Sequence, residues 1–338
     1  MKLKNSILTS LMLLISMGYM SAQSDSSQTK NTVVFGSIYP AFVSTFSANK
    51  NPLHAFEMNT ALVGFKTDLA KKATAILIYD VARTTSDIVV LDSNKHPLSV
   101  NYFKGSEFTA FLKQAEINWK PLSHIEIAIG QLLNEQYLTV QDKFWSYRYV
   151  AFTFQERYKF GYPADFGLRV AFNNEHWRIS STISNGEGPF YKQDADGYLM
   201  YAINAEYRPN KHYIFKLYSD IYLNNKLNRE SISAFVSYKN DNLRLAIEGC
   251  IVTNDKWNEQ NDYKGYSAFI SYNISEKWNL FLRGDYLDKS YIYNNSFISF
   301  LGFEYVPLKN FNIAINYRFL QLNATNYNQI ALNVGFKF

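Results

Sequence analysis

The sequence predicts an all-β chain: a transmembrane antiparallel β-barrel of about sixteen strands, with its third external loop folded into the lumen. Three observations lead there. Segments of about ten residues alternate apolar and polar side chains, the period of a strand with two different faces. Short and long connections alternate strictly along the chain. Aromatic residues are abundant, 26 Tyr and 26 Phe among 338 residues, and only 19% of residues are charged.

The first 22 residues read as an export signal. Lys2 and Lys4 precede a short apolar core, Ile7 to Tyr19, and Ser21-Ala22 offers a small residue at the cut. Residues 23–31 are polar and expected to be a disordered tail, leaving 32–338 for the barrel. No apolar run after the N-terminus reaches the roughly 18 residues that a helical span needs. Losing Lys2 and Lys4 leaves 32 basic against 29 acidic residues, too weak a surplus for a nucleic-acid surface. The single cysteine, Cys250, excludes an intrachain disulfide and a thiolate metal site.

The alternation is cleanest at the C-terminus. Ile330, Leu332, Val334, Phe336 and Phe338 share one face; Ala331, Asn333, Gly335 and Lys337 share the other. Phe311 to Phe319, Trp177 to Ser184 and Leu243 to Ile251 repeat the theme. Earlier, Ala75, Leu77, Tyr79 and Val81 are expected to face lipid, which turns Ile76 and Ile78 inward.

Short polar turns are expected near 69–72, 121–124, 173–176, 209–212, 240–242, 275–277 and 308–310. Longer connections fall near 49–53, 84–105, 134–163, 186–197, 224–229, 254–262, 289–294 and 321–326. Seven short turns and eight long loops join sixteen strands and put both chain ends on the short-turn side, the layout of an outer-membrane barrel. Closure removes the sheet edges that lipid would not tolerate. Trp119, Trp177 and Trp278 each sit beside a short turn, which suggests an interfacial girdle.

A charge on the lipid face costs about 2–4 kcal/mol for Arg or Lys at mid-depth, so strand charges should point inward. The alternation sends Arg169, Arg178, Lys216, Arg244, Arg283 and Arg318 to the lumen, with Glu126, Asp220, Glu248, Asp285 and Glu304. Two readings follow for the cations: a ladder that draws anions, or a polar wall neutralised by its own acids. The segment Asn134–Pro163 is too long for a structureless loop in a compact domain, but a wide lumen can hold it. Its Lys143, Arg148, Arg157 and Lys159 could meet an anion; its Asp142 and Glu156, with Asp165, could instead pair with them and pin the loop to the wall. Trp145, Tyr147, Tyr149 and Phe154 are expected to pack the loop together.

Enzyme signatures are missing. His54, His96, His124, His176 and His212 fall in loops, turns or strand ends, and none has a serine two residues on. There is no Gly-x-Ser-x-Gly, no His-Glu-x-x-His and no phosphate-binding loop. Asn185-Gly186-Glu187-Gly188 reads as a tight turn.

Four stretches carry a resemblance: Ala55-Phe56-Glu57-Met58-Asn59, Phe144-Trp145-Ser146-Tyr147-Arg148-Tyr149, Phe160-Gly161 with Ala164-Asp165-Phe166-Gly167, and Asn185-Gly186-Glu187-Gly188. In order, they resemble the Bacteroidetes-type porins related to phosphate-selective porins O and P, over about Val33 to Phe338. The chain departs from that pattern at Thr153, Glu156 and Pro163. The resemblance implies a sixteen-stranded outer-membrane barrel with an inward third loop, passive diffusion of small hydrophilic solutes, and a homotrimer amid membrane lipid and lipopolysaccharide. No cofactor, no enzyme activity and no nucleic-acid partner are expected, from the missing motifs and the weak net charge. Anion or phosphate preference stays open. So does a plugged barrel that binds an external partner through its loops.

Overall fold

The structure, a computed structural model, describes residues 31–47, 51–83, 87–91, 97–102, 108–189, 197–289, 295–322 and 325–338. The expected export signal and nearly all of the expected tail lie outside these residues, as does His96. The strands of the first half are β1 (Thr32–Ser47), β2 (Leu53–Ala70), β3 (Ala73–Arg83), β4 (Asp87–Leu91), β5 (Pro97–Tyr102), β6 (Phe108–Leu122), β7 (Ile125–Leu133), β8 (Ala164–Asn173) and β9 (Trp177–Ser184). Those of the second half are β10 (Met200–Tyr207), β11 (Tyr213–Tyr222), β12 (Arg229–Lys239), β13 (Leu243–Thr253), β14 (Tyr263–Asn273), β15 (Trp278–Lys289), β16 (Ser296–Leu308), β17 (Phe311–Leu322) and β18 (Thr325–Lys337).

Sixteen of these close one antiparallel barrel, each pairing with its neighbour in sequence, and β1 pairs with β18 to complete the ring. The other two, β4 and β5, form a hairpin of their own within the second long connection. Closure continues to the end of the chain: Gly36 N donates to Phe338 O at 2.9 Å and Phe338 N to Gly36 O at 3.1 Å. The seven expected turns and seven of the expected long connections fall at boundaries between the observed barrel strands. Near 321–326, where a long connection was expected, β17 runs to Leu322 and β18 starts at Thr325, with Leu322 paired to Thr325, so the connection there is tight.

The alternation resolves into an apolar outside and a polar inside. Ile203, Leu217, Ile232 and Ile247 are each more than 60% exposed on the outer face. Apolar side chains exposed all round a barrel would expose a patch far beyond what a soluble surface carries, and a bilayer covers it. On β3, Leu77 and Tyr79 are exposed and Asp80 is buried, so the register expected there holds. The inward face carries Asp220, Glu248, Asp285, Glu304, Arg169, Lys216, Arg283 and Arg318, all buried.

The short-turn end is built by repetition. Asn174 Oδ1 accepts from the backbone N–H groups of His176 and Trp177 at 2.9 and 2.7 Å. Asn210 does the same for His212 and Tyr213, and Asn240 for Asn242 and Leu243. Each is an Asx turn, in which the side chain supplies the acceptor that a tight reversal needs. His176 and His212 then donate from Nδ1 to the carbonyls of Arg208 and Lys239, tying each turn to the next. Just above, Trp177 packs on Tyr207 at 4.5 Å and Trp278 on Tyr305 at 4.6 Å. With exposed Trp119 they form the aromatic rim expected from the sequence.

Candidate functional site

The connection between β7 and β8 runs through the barrel interior. It contains two short helices, α1 (Val140–Trp145) and α2 (Phe154–Arg157). Tyr137, Phe144, Trp145, Tyr147, Tyr149, Val150, Phe154 and Phe160 are all buried. A surface loop cannot bury so much, so the wall must supply the cover.

The root of the loop is fixed by charge. Asn134 N donates to Pro163 O at 3.0 Å and closes the base. The buried Glu135 carboxylate accepts from Arg178 Nη2 at 2.7 Å, from Arg178 Nε at 3.1 Å and from the Ser180 hydroxyl. Arg169 lies 3.9 Å away and also pairs with Glu116. Burial works against the charged form of Glu135, but Arg169 and Arg178 outweigh it and hold the carboxyl below the usual glutamate range. Lys216 Nζ donates to the carbonyls of Glu135 and Gln136 and to Gln141 Oε1.

The middle is stapled by Arg148. Its Nη1 donates to Asp142 at 2.9 Å, and its fork meets both oxygens of Glu156 at 2.6 and 2.7 Å. Those carboxylates belong to α1 and α2, so one guanidinium sets the distance between the two helices. Burial opposes the Arg148 charge, yet Glu156 and Asp142 prevail and raise its pKa above the ordinary arginine value.

The wall grips the loop through its main chain. Arg244 donates to Phe144 O and the Ser146 hydroxyl, and Arg283 to Phe152 O at 2.7 Å. Arg318 donates to Val150 O at 3.1 Å, Asn333 to Tyr149 O at 3.0 Å, and Arg229 to Phe160 O at 2.7 Å. Loop side chains answer: Tyr149 donates to Glu304, Gln155 to Glu248, and Tyr147 bonds Ser271, each at 2.8 Å. Irregular backbone in a barrel needs acceptors and donors of this kind for every buried polar group.

An aromatic core joins loop and wall. Phe144 meets Phe235 and Phe269 at 5.7 and 5.8 Å, Trp145 meets Phe269 at 5.0 Å, and Tyr147 meets Phe281 at 4.5 Å. Two wall glycines make room. A Cβ on Gly265 would lie 2.7 Å from the Phe154 ring, and one on Gly335 would lie 2.9 Å from the Tyr149 ring. The aromatics therefore hold the loop to the wall as well as to itself.

The eight expected pore cations separate by partner. Arg169 and Arg178 serve Glu135; Lys216, Arg244, Arg283 and Arg318 clamp loop backbone or its side chains; Arg148 is a staple inside the loop. The Arg157 side chain has no hydrogen bond or ion pair among the described residues and lies over the Phe300 ring, 5.2 Å from its centroid. Lys143 and Lys159 are exposed. Asp142 and Glu156 pair within the loop rather than with the wall, while Asp165 accepts from the backbone N–H groups of Gly186 and Gly188. The tight turn expected at Asn185–Gly188 is thus held by a carboxylate from β8.

Sequence reading missed Glu135 and the inward aromatics Phe235, Phe269, Phe281 and Phe300. For Phe281 a signal was present: Leu280-Phe281-Leu282 interrupts the alternation, which marks a strand covered by apolar groups on both faces. Buried Cys250 is a free thiol whose Sγ accepts a long hydrogen bond from Gln136 at 3.5 Å. Among the described residues no group of His, Cys, Asp and Glu is placed to hold a metal ion.

No protein-family model matches the chain, and no curated protein matches it by sequence. Solved structures do match in fold. Pseudomonas putida OprB superposes with a TM-score of 0.69 at 10% identity, covering 91% of this chain and 94% of that one. The anion-selective porin from Comamonas acidovorans gives 0.67 at 13% identity, covering 92% and 100%. The outer-membrane channel DcaP of Acinetobacter baumannii gives 0.64 at 11%, covering 94% and 100%.

Proposed function

We propose that this protein is an outer-membrane porin through which small hydrophilic solutes diffuse passively, with a preference for anions. The observation that carries the reading is the inside-out patterning of a sixteen-stranded barrel. Its outer face is apolar and its inner face bears the charges. A barrel of this strand number leaves an aqueous channel. None of the loop hydrogen bonds described above reaches β3 or β6. That arc of wall, which carries the buried Asp80–Lys113 pair at 2.7 Å and Glu116, is where a passage beside the loop would open. Fold-level likeness to an outer-membrane channel and to an anion-selective porin agrees with a channel.

The same reading places the protein in the outer membrane of a Gram-negative bacterium, exported with cleavage after residue 22. It would sit among lipid and lipopolysaccharide, with a homotrimer as the assembly, no cofactor and no catalysis. The phosphate preference of the porins that the sequence resembles is not part of it, since most lumen cations are already engaged. Liposome swelling with sugars and amino acids of rising size tests the proposal. Swelling that falls off with solute size supports it; liposomes that stay impermeable while the barrel is folded refute it. One observation favours a second reading, a plugged barrel binding an external partner: the aromatic core that fills part of the lumen. Impermeable liposomes would promote it.

A further inference from the structure

The two rims of the barrel differ in charge. The seven short connections between barrel strands contain six lysines and arginines against three acids. Exposed charges at the adjoining strand ends add Lys120, Lys239 and Lys337 against Asp68. The short-turn rim therefore carries nine cations against four acids, a surplus of five. At the long-loop rim, outside the inserted loop and the β4–β5 hairpin, the described connections hold Lys226 and Lys256 against Glu187, Asp255, Glu259 and Asp262. Exposed strand ends there add Lys264 and Glu230, which leaves a deficit of two among the described residues.

The surplus is spread round the ring. Every short turn except the one at Asn174–His176 has a lysine or arginine in it or at its strand edge. Several of these cations adjoin the aromatic rim: Lys120 follows Trp119, Lys239 follows Tyr238 and Lys277 precedes Trp278. Tyr238 in turn packs on Tyr213 at 5.1 Å. Aromatic belts of this kind sit at headgroup depth, so an ammonium on a long stem beside them reaches the phosphate layer. Lys71, Lys211, Lys239, Lys277, Lys309 and Lys337 are exposed and form no ion pair among the described residues. Arg208 and Lys72 are engaged, with Glu206 at 2.8 Å and the Pro121 carbonyl at 2.9 Å. Like charges held on one rim repel one another, and an anionic layer facing them relieves that repulsion.

We propose that the short-turn rim binds the phosphate headgroups of anionic phospholipids and gathers an annulus of phosphatidylglycerol-type lipid around the barrel. Lipid fits the geometry because it meets the barrel from every side, as the cations do, and its headgroups lie level with the aromatic rim. A protein partner would call for the cations on one arc. Three of the turns are held by the caps of Asn174, Asn210 and Asn240, so their part of the ring is fixed before lipid arrives. Short turns of such barrels face the periplasm, which makes the leaflet concerned the periplasmic one. The inference rests on the outer-membrane reading above and does not need an open pore.

The test uses the full-length mature barrel folded into bilayers that mix phosphatidylcholine and phosphatidylglycerol, with one or the other brominated in its chains. Quenching of Trp119, Trp177 and Trp278 gives the ratio of the two lipids' binding constants at the short-turn rim. Trp145 is buried inside the barrel, and Trp257 belongs to the long-loop rim. Wild type should favour phosphatidylglycerol about threefold at low salt, and the preference should fade at about 0.5 M salt. Joint replacement Lys71→Gln, Lys211→Gln, Lys277→Gln and Lys309→Gln should bring the ratio close to one at low salt. Lys256→Gln with Lys264→Gln, at the opposite rim, should leave it unchanged. A wild-type ratio of one at low salt overturns the proposal, whether or not the variants fold, and so does a preference that survives the fourfold replacement. A ratio of one together with salt-sensitive binding of soluble polyglutamate would assign the ring to a soluble polyanion instead. A barrel that does not fold into bilayers sinks the outer-membrane reading too; a folded barrel without lipid preference sinks this inference alone.

Discussion

Arg148→Met separates the loop's own cohesion from that of the barrel. The substitution keeps most of the side-chain volume and deletes one buried cation that touches two carboxylates. Arg148 is 11% exposed at its side chain, against 22% for Asp142 and 15% for Glu156. Removing one partner of a buried pair costs about 3–5 kcal/mol, chiefly by stranding the remaining charge. Water can reach both carboxylates, so the low end applies, about 3 kcal/mol. The cost falls on the α1–α2 unit, because no wall strand takes part in the staple. At about 1.4 kcal/mol per factor of ten, local opening should become roughly a hundredfold more frequent. Amide hydrogen exchange reads this at Val150 and Ala151, whose N–H groups bond Tyr147 O at 2.8 and 3.0 Å, and at Phe160, which bonds Gln155 O at 3.0 Å. Strand amides of β11 to β17 should exchange as in wild type. Exchange within threefold of wild type at those loop amides, in a folded barrel, would refute the staple.

Other perturbations follow from the same contacts. Trp145→Ala removes a fully buried ring from between loop and wall and should cost about 3–5 kcal/mol of loop docking, seen as larger and noisier single-channel current. Ile247→Arg puts a charge on a side chain 66% exposed to the outside; it should cost about 2–4 kcal/mol in equilibrium folding into bilayers, with little effect in detergent. Glu135 gives a pH response. Its folded pKa lies below the usual carboxyl value of about 4.3, so its contribution is fully present above that value and is lost as pH falls through the folded pKa. Loop proteolysis should therefore accelerate only below about pH 4, and Glu135→Gln should remove that pH dependence.

Much of the barrel was legible because lipid and water impose opposite demands on successive residues. At Ile330 to Phe338 or Leu243 to Ile251 the two faces differ in chemistry, so period and register could both be read. Asn-x-His and Asn-Asp-Asn turns announced themselves through side chains that can cap a reversal. The loop was legible in position but not in its bonds. Arg244, Arg283 and Arg318 were correctly turned inward, yet the loop acceptors they reach are carbonyls and a hydroxyl of distant residues, which carry no compositional mark. Glu135 looked like one more loop acid because Arg178 and Ser180 approach it only through the closed barrel. Phe300 was hidden for the opposite reason: an inward aromatic on a strand that also has outward aromatics blurs the period that reveals a face.

Single-channel recording of the folded protein in a planar bilayer tests the central claim, that a water-filled passage remains beside the inserted loop. The geometry predicts stepwise, long-lived openings at low voltage, with reversal displaced toward the anion potential. A barrel that inserts and keeps its heat-modifiable mobility on gels, yet passes no current, would contradict the claim and mean that the loop seals the lumen.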